Sequence, residues 1–364
     1  PTSWPAAQKG RATKGAALAL KSRVALVGGR YQEAADAAQQ VIQSQQYTLY
    51  PHYENLFNYT GESNNEVIFE ANYAYGIKDH RMPISIFSRT SQGNSTKIPT
   101  QSLVDSYECT DGLPIDESPL YDPKNPFVNR DPRLRQTIAV PGDVFLGYQF
   151  ETHKDSLQCW DYNVTPARRI ANQDAINAFA SFSGYCWRKS ADKADLGAFR
   201  NASSLNCILI RLGEVLLNYA EAKIELNQID QSCLDAINAV RQRPTVNMPP
   251  IPAGKSQAEM RVIIRRERKV ELAMEGHRLQ DIRRWRVAEK LMPGSLYGRP
   301  QKPYSYPDQL TPSIDADGKV DYSTYSDKLS LIETRVFLAD RHYVAPIPQR
   351  ELDANKALVQ NPNY

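Results

Sequence analysis

Residues 211–244 read RLGEVLLNYAEAKIELNQIDQSCLDAINAVRQRP. Leu212, Val215, Leu216, Tyr219, Ala220 and Leu226 recur at helical spacing and form one apolar stripe. Asn227–Asp230 interrupts the stripe as a short polar turn. Cys233, Leu234, Ile237 and Val240 form a second stripe, and Pro244, which lacks an N–H and cannot continue a helix, closes it. The stretch is a helix–turn–helix unit.

This unit spans 34 residues, the length of one tetratricopeptide repeat. A comparable unit comes earlier. Ala16, Ala17, Leu20, Val24 and Val27 place a stripe on a helix over 11–28, Gly28 and Gly29 break it, and a second helix over 31–46 carries Tyr31, Ala34, Ala35, Ala38, Val41 and Ile42 on one face. Small residues stand where the two helices must approach closely. A third pair over 256–292 opens on Ser256, a cap with Glu259 three residues on. Met260, Ile263, Ile264 and Met274 mark its apolar side, and Gly276 separates a second helix bearing Leu279, Ile282, Trp285 and Ala288.

Between these units, 47–206 is rich in Tyr, Pro, Asn, Asp and Ser. It contains a strand-like run at Glu66–Phe69, a short helix at Pro99–Tyr107, and turn chemistry at Asp111-Gly112 and Arg130-Asp131-Pro132. The expected fold is mostly α: a tetratricopeptide-like helical-repeat scaffold with long loop-rich insertions and a few short strands. We expect a single domain over 1–364, with a repeat pair at 11–46, a loop-rich insertion carrying the ligand surface at 47–206, two repeat pairs at 207–292 and a loop-rich C-terminal region at 293–364. Loops this long on a scaffold usually carry its binding surface.

Composition narrows the function. Against 44 Lys and Arg stand 41 Asp and Glu, a net charge of +3, which gives no strong field for DNA, RNA or anionic lipid, so no nucleic-acid partner is expected. No apolar run is long enough to span a bilayer. Cys109, Cys159, Cys186, Cys207 and Cys233 form no CxxC pair and suggest neither a zinc site nor a disulfide framework. The start at Pro1 carries no signal peptide, runs into a helix, and reads as the interior of a longer protein. The 20 tyrosines and 4 tryptophans offer flat apolar faces with polar edges, suited to sugar rings and partner surfaces, although at most positions such rings simply pack loops.

Catalytic motifs are absent. Gly10 and Gly15 have the glycine spacing of a phosphate loop, but Ala16 and Ala17 stand where Lys and Ser or Thr are required. There is no HExxH and no GxSxG. His52, His80, His153, His277 and His342 are scattered singly. No cofactor motif is present; Asp315-Ala316-Asp317-Gly318 is one acidic loop offering oxygen ligands of the kind calcium takes. The densest charged stretch, Arg261–Lys290, has two readings. One is a basic patch for phosphate. The stronger is an ion-pair network joining helices, because Glu267 and Glu271 share a face with Ile263, Ile264 and Met274 and need arginine partners nearby.

Within that stretch, Glu267–Trp285 reads ERKVELAMEGHRLQDIRRW. It resembles the C-terminal signature of the SusD/RagB family, E-R-x-x-E-L-x-x-E-G-x-R-x-x-D-x-x-R-W, at Glu267, Arg268, Glu271, Leu272, Glu275, Gly276, Arg278, Asp281, Arg284 and Trp285. Other segments agree in order: Gly10–Thr13, Asp111-Gly112, Asn129–Arg133, Arg211–Glu214 with Asn218–Ala222, Pro346–Pro348 and Gln360–Pro362, with Asn363 standing where the family usually has Gly. The resemblance implies a non-enzymatic nutrient-binding lipoprotein on the outer-membrane surface. It implies a SusC-like TonB-dependent transporter as partner, an oligosaccharide or polysaccharide as ligand, and a membrane attachment through an N-terminal lipid anchor preceding Pro1. Some family members bind peptides. A general protein-interaction scaffold and a hydrolase of the same ligand are the rivals outside the family.

Sugar capture needs aromatic platforms with a few polar groups. Trp160 and Tyr162, with Asp161 and Asn163 as polar neighbours and Tyr148 nearby, are the first candidates. They lie in a stretch matching no framework motif of the family. Tyr73, Tyr75, His80 and Arg81 form a second, weaker cluster. Trp187 and Trp285 read as framework.

Overall fold

The computed structural model describes residues 1–5, 8 and 10–364. The scaffold is built from α1 (Lys14–Val27), α2 (Tyr31–Gln43), α3 (Leu212–Glu225), α4 (Gln231–Arg241), α5 (Gln257–Glu271) and α6 (Arg278–Arg284). Local chemistry sets their ends. The Thr13 hydroxyl accepts from Ala16 N at 3.2 Å to open α1, and Asp230 accepts from Cys233 N at 3.1 Å to open α4. Ser256 and Glu259 form a reciprocal capping box on α5. Past α5 the chain turns through left-handed conformations at Met274 and Gly276, so the third pair bends sharply there. The second helix expected after Gly276 is also broken: Arg286 has φ +55° and ends α6, and a separate turn follows at Ala288–Leu291.

Helices α1, α2 and α3 pack side by side, with α4 and α5 both against α3. One apolar core runs beneath all five, through Ala19, Leu26, Ala38, Val215, Leu217, Ile237, Met260 and Ile264. On α1 the buried face is not the expected one. Gly15, Ala16, Ala19, Ser22, Ala25 and Leu26 are buried, whereas Leu20, Val24 and Val27 are 47%, 53% and 46% exposed. The alanine face of α2 demands close approach, and only small side chains on α1 allow it. At Gly15 a Cβ would lie 2.3 Å from the Tyr47 hydroxyl.

The insertion folds as short sheets laid over this scaffold. Strand β1 (Val67–Ala71) comes first, and then β2 (Val144–Phe145), β3 (Tyr148–Gln149), β4 (Gln158–Asp161) and β5 (Arg168–Ala171) form a four-stranded antiparallel sheet. β6 (Cys207–Arg211) pairs with β1 and leads directly into α3. In the C-terminal region β7 (Gly294–Pro300) pairs with β8 (Leu329–Arg335). Gly298 of β7 lies against Ser183 so closely that a Cβ would fall 2.4 Å from its Cα. Because backbone cannot move aside cheaply, Gly298→Ala should cost about 1–3 kcal/mol, read as a lowered urea midpoint with an unchanged slope. Among the described residues no helix is long and apolar enough to cross a membrane.

Insertion and scaffold are joined by buried charge. Glu271 accepts from Arg133 at 2.9 Å, Arg211 at 2.7 Å and Arg243 at 3.2 Å, and Glu267 from Arg133 at 2.5 Å and Arg241 at 2.8 Å. Glu66 bridges Arg211 and Arg243 at 2.9 and 2.5 Å, and Glu275 bridges Arg211 and Lys189 at 2.7 and 2.6 Å. The ion-pair reading of this stretch therefore holds in geometry, but the partners of Glu267 and Glu271 are Arg133, Arg211, Arg241 and Arg243, none of them nearby in sequence. The arginines of the stretch itself look elsewhere: Arg268 and Arg284 hold Glu221 and Asp281.

Burial alone would raise the Glu275 carboxyl, yet the charges of Arg211 and Lys189 outweigh it and hold it at about 2. Burial opposes ionisation of Glu271 too, and Arg211, Arg243 and Arg133 override it to keep this carboxyl well below the usual carboxylate range. Folded values below the unfolded value mean stability that is fully present above about pH 4.3 and lost as pH falls below it. Thermal melts followed from neutral pH downwards should show a steep drop in Tm beginning near about pH 4. A flat profile through that range would contradict the assigned network.

Candidate functional site

Strand β4 alternates exposed and buried side chains: Gln158 and Trp160 point outward, Cys159 and Asp161 inward. Tyr162 continues the outward row, so Trp160 and Tyr162 share one face, 37% and 46% exposed. Their ring centroids are 6.4 Å apart with planes 25° from parallel. Opposite Trp160 on β5 stands Arg169, whose guanidinium carbon lies 5.2 Å from the indole centroid and whose Nη2 donates to Gln158 O at 3.0 Å. Gln149 accepts from Trp160 N at 3.2 Å. The result is a pair of near-parallel exposed rings beside guanidinium and amide groups.

The other candidates of this cluster lie on the opposite side of the sheet. Tyr148 pairs with Asp161, and Asp161 with Arg168, so these three share the face that Trp160 does not. Asp161 is buried and ion-paired to Arg168 at 3.5 Å. Burial, reinforced by the Asp161 charge, pushes the Tyr148 phenol above its ordinary pKa. Asn163 closes the turn, taking Asp161 Oδ1 at its N–H and donating to Leu146 O at 3.1 Å. Asp161 and Asn163 thus hold the strand that presents Trp160, and Arg169, which the sequence reading did not name, is the polar group on the ring face. Strand alternation applied to 168–171 could have suggested it once the pairing with β4 was known.

The second cluster also divides. Tyr73 and His80 meet edge to face at 4.6 Å, and His80 is tied to Leu205 O at 2.9 Å, which makes them part of a folded hairpin. Arg81 donates to Asn201 at 3.2 Å. Tyr75 is 61% exposed and packs edge to face on Phe199 at 5.1 Å.

One large open cleft, of about 1020 Å³, was not anticipated. Phe179 and Phe182, 70% and 57% exposed, line it together with Trp187, Met274 and Leu296, and Arg89 and Arg335 add charge. A Phe-x-x-Phe pair in a polar, Ser-rich loop was the available signal. Trp187 contributes to this cleft while pairing with Ile138 in a two-residue ladder. Trp285 is half-buried, its indole N–H donating to Glu221 at 2.6 Å.

Among the described residues no group of three His, Cys, Asp or Glu is arranged to hold a metal. In the acidic loop Asp315 accepts from the N–H groups of Asp317 and Lys319 at 3.0 and 2.9 Å, and Asp317 pairs with Lys290 at 2.5 Å and Arg265 at 3.4 Å.

The fold is that of a helical-repeat protein whose insertions have grown into a broad surface with exposed aromatic rings. Residues 53–364 match the SusD family, and the chain belongs to it. A SusD-like carbohydrate binding protein from Bacteroides fragilis is 32% identical and superposes with a TM-score of 0.81 over 98% of this chain and 66% of its own. A second SusD-like protein of that species gives 26% identity and a TM-score of 0.73 over 100% of this chain and 68% of its own. SusD-like protein P2 of Formosa agariphila is 26% identical over 97% of this chain, which spans 60% of that relative's length.

Proposed function

We propose that the chain is the greater part of a surface glycan-binding protein. It captures oligosaccharide without altering it and delivers it to a SusC-like TonB-dependent transporter in the outer membrane, to which a lipid anchor ahead of this chain holds it. The observation that carries this reading is the exposed Trp160–Tyr162 pair on one strand face beside Arg169. Stacked rings take the apolar face of a sugar, and a guanidinium donates to its hydroxyls. Family membership and the likeness to a carbohydrate-binding relative support it. Capture is favoured over cleavage because Asp161, the carboxylate nearest in sequence to the rings, faces away and is held by Arg168.

Calorimetric titration of the full-length protein against a panel of plant, algal and host-type polysaccharides tests it. Saturable binding, with the glycan recovered at its original chain length, is the expected result. Shortened products would establish a hydrolase, and binding of peptides alone would move the ligand class to peptide. Copurification of a barrel transporter from membranes expressing both proteins tests the partner; a general interaction scaffold would not enrich it.

A further inference from the structure

The charged stretch Arg261–Lys290 is only partly consumed by the buried network. Four of its other cations meet in one place. Arg265, Arg266 and Lys269 of α5 and Arg278 of α6 line a cavity of about 250 Å³, closed on the far side by the 314–318 hairpin turn. Arg265 and Lys269 sit one helical turn apart, a like-charge spacing that disfavours the helix unless something neutralises it.

Their partners do not neutralise it. Among the described residues the Arg278 side chain makes no hydrogen bond and no ion pair, and its guanidinium only rests 5.9 Å from the Trp285 ring. Lys269, half-buried, donates to a single neutral acceptor, Ser102 O, at 3.2 Å. Arg266 reaches Glu108 at 3.4 Å, but Glu108 already holds Arg241 at 2.8 Å. Arg265 reaches Asp317 at 3.4 Å, and Asp317 is held more closely by Lys290 at 2.5 Å. Of the other acids lining the cavity, Asp315 is spent on backbone N–H groups and Glu117 is exposed. Sheltered cations without a counter-charge are costly, and an anion with several acceptor oxygens satisfies them together.

We propose that this cavity between α5, α6 and the 314–318 turn binds a small oxyanion (sulfate, phosphate or a carboxylate), with Lys269 and Arg278 as its principal ligands and Arg265 and Arg266 beside them. The state of these cations supports the assignment. Burial, aided by the Arg278 charge, pushes the Lys269 ammonium down to about 7. Burial, outweighing Asp281 and aided by Arg265, pushes Arg278 down to about 10. Asp105 and Asp281 act on them only through space, and neither cation has the direct carboxylate contact that the partners of Glu271 and Glu275 enjoy. The assignment does not rest on glycan capture at Trp160 and stands or falls separately from it.

The test is calorimetry and thermal shift with sodium sulfate and sodium phosphate against sodium chloride at matched ionic strength, on the full-length protein and on Arg278→Gln and Lys269→Gln. The expected result is a saturable rise in Tm with sulfate or phosphate over chloride, and affinity weakened by about tenfold or more in each variant. Glucuronate and glucose 6-sulfate form a second arm. Tighter binding of these than of the free ions would make the site a reader of acidic groups on a captured glycan, and tighter binding of the free ions would make it an inorganic-anion site. No difference from chloride, or an Arg278→Gln response equal to that of the parent, overturns the proposal. Should one variant fail to fold, a selenate soak of crystals of the parent decides: anomalous density between Lys269 and Arg278 supports the site, and its absence refutes it.

Discussion

Glu271→Gln is expected to cost the protein about 3–5 kcal/mol of stability. The Glu271 carboxylate is 0% exposed and stands between three guanidiniums, those of Arg133, Arg211 and Arg243. An amide of the same shape removes the negative charge and points N–H donors at groups that can only donate. Breaking one buried pair in this way costs about 3–5 kcal/mol. That is a large share of the 5–15 kcal/mol by which domains are typically stable, roughly. Urea denaturation followed by circular dichroism measures it, with Glu289→Gln, at an exposed position, as the control expected to shift by no more than about 0.5 kcal/mol. If Glu271→Gln unfolds within about 1 kcal/mol of the parent, the network does not join insertion to scaffold as described.

The effect should also report on assembly, because the three guanidiniums come from different parts of the chain. Arg133 lies in the insertion, Arg211 ends β6, and Arg243 follows α4. Loss of the shared carboxylate therefore loosens the seating of the insertion on the helices before it disturbs the helices themselves. Hydrogen exchange in Glu271→Gln should rise first in 130–190.

Trp160→Ala is expected to abolish most glycan binding while leaving the fold intact. The indole forms one of two near-parallel rings and carries Arg169 against it, so its removal takes away the platform and frees the guanidinium. Losing burial of one large aromatic face against a sugar costs about 1.5–3 kcal/mol, roughly a tenfold to hundredfold rise in Kd. Because Trp160 is 37% exposed on a surface sheet, Tm should move little. Asp161→Asn, on the opposite face, should lower Tm more than it weakens binding. Undiminished affinity in Trp160→Ala would move the ligand surface elsewhere, and the cleft of Phe179 and Phe182 is the next place to probe.

Much of the scaffold is written locally. Helix periodicity in 211–244, the caps at Thr13, Asp230 and Ser256, and the glycines that close helices act over a few residues, and the structure places helices at those positions. The apolar face of α1 was misjudged because that helix carries apolar side chains on more than one side. What selects Gly15, Ala16 and Ala19 over Leu20 and Val24 is the closeness of α2, a property of two helices together.

The same division runs through the candidate site. Period-two alternation by itself sets Trp160 and Tyr162 on one face and Asp161 on the other, since successive side chains of a strand point oppositely. Chain order alone does not reveal that Tyr148 pairs with Asp161, or that Arg169 comes to lie against Trp160, because register is fixed between strands and not within them. The need for partners at Glu267 and Glu271 was legible from carboxylates beside an apolar stripe. Their identity was not, because a charge is satisfied by whatever cation the fold brings within about 3 Å, however distant in sequence. The sequence by itself determined the helical repeats, the family signature and the presence of exposed-type aromatics in the insertion. Only the tertiary structure decided which helix face is buried, which cations quench the central glutamates, and which are left over at Lys269 and Arg278, because each of those outcomes depends on contacts between segments that no local pattern encodes.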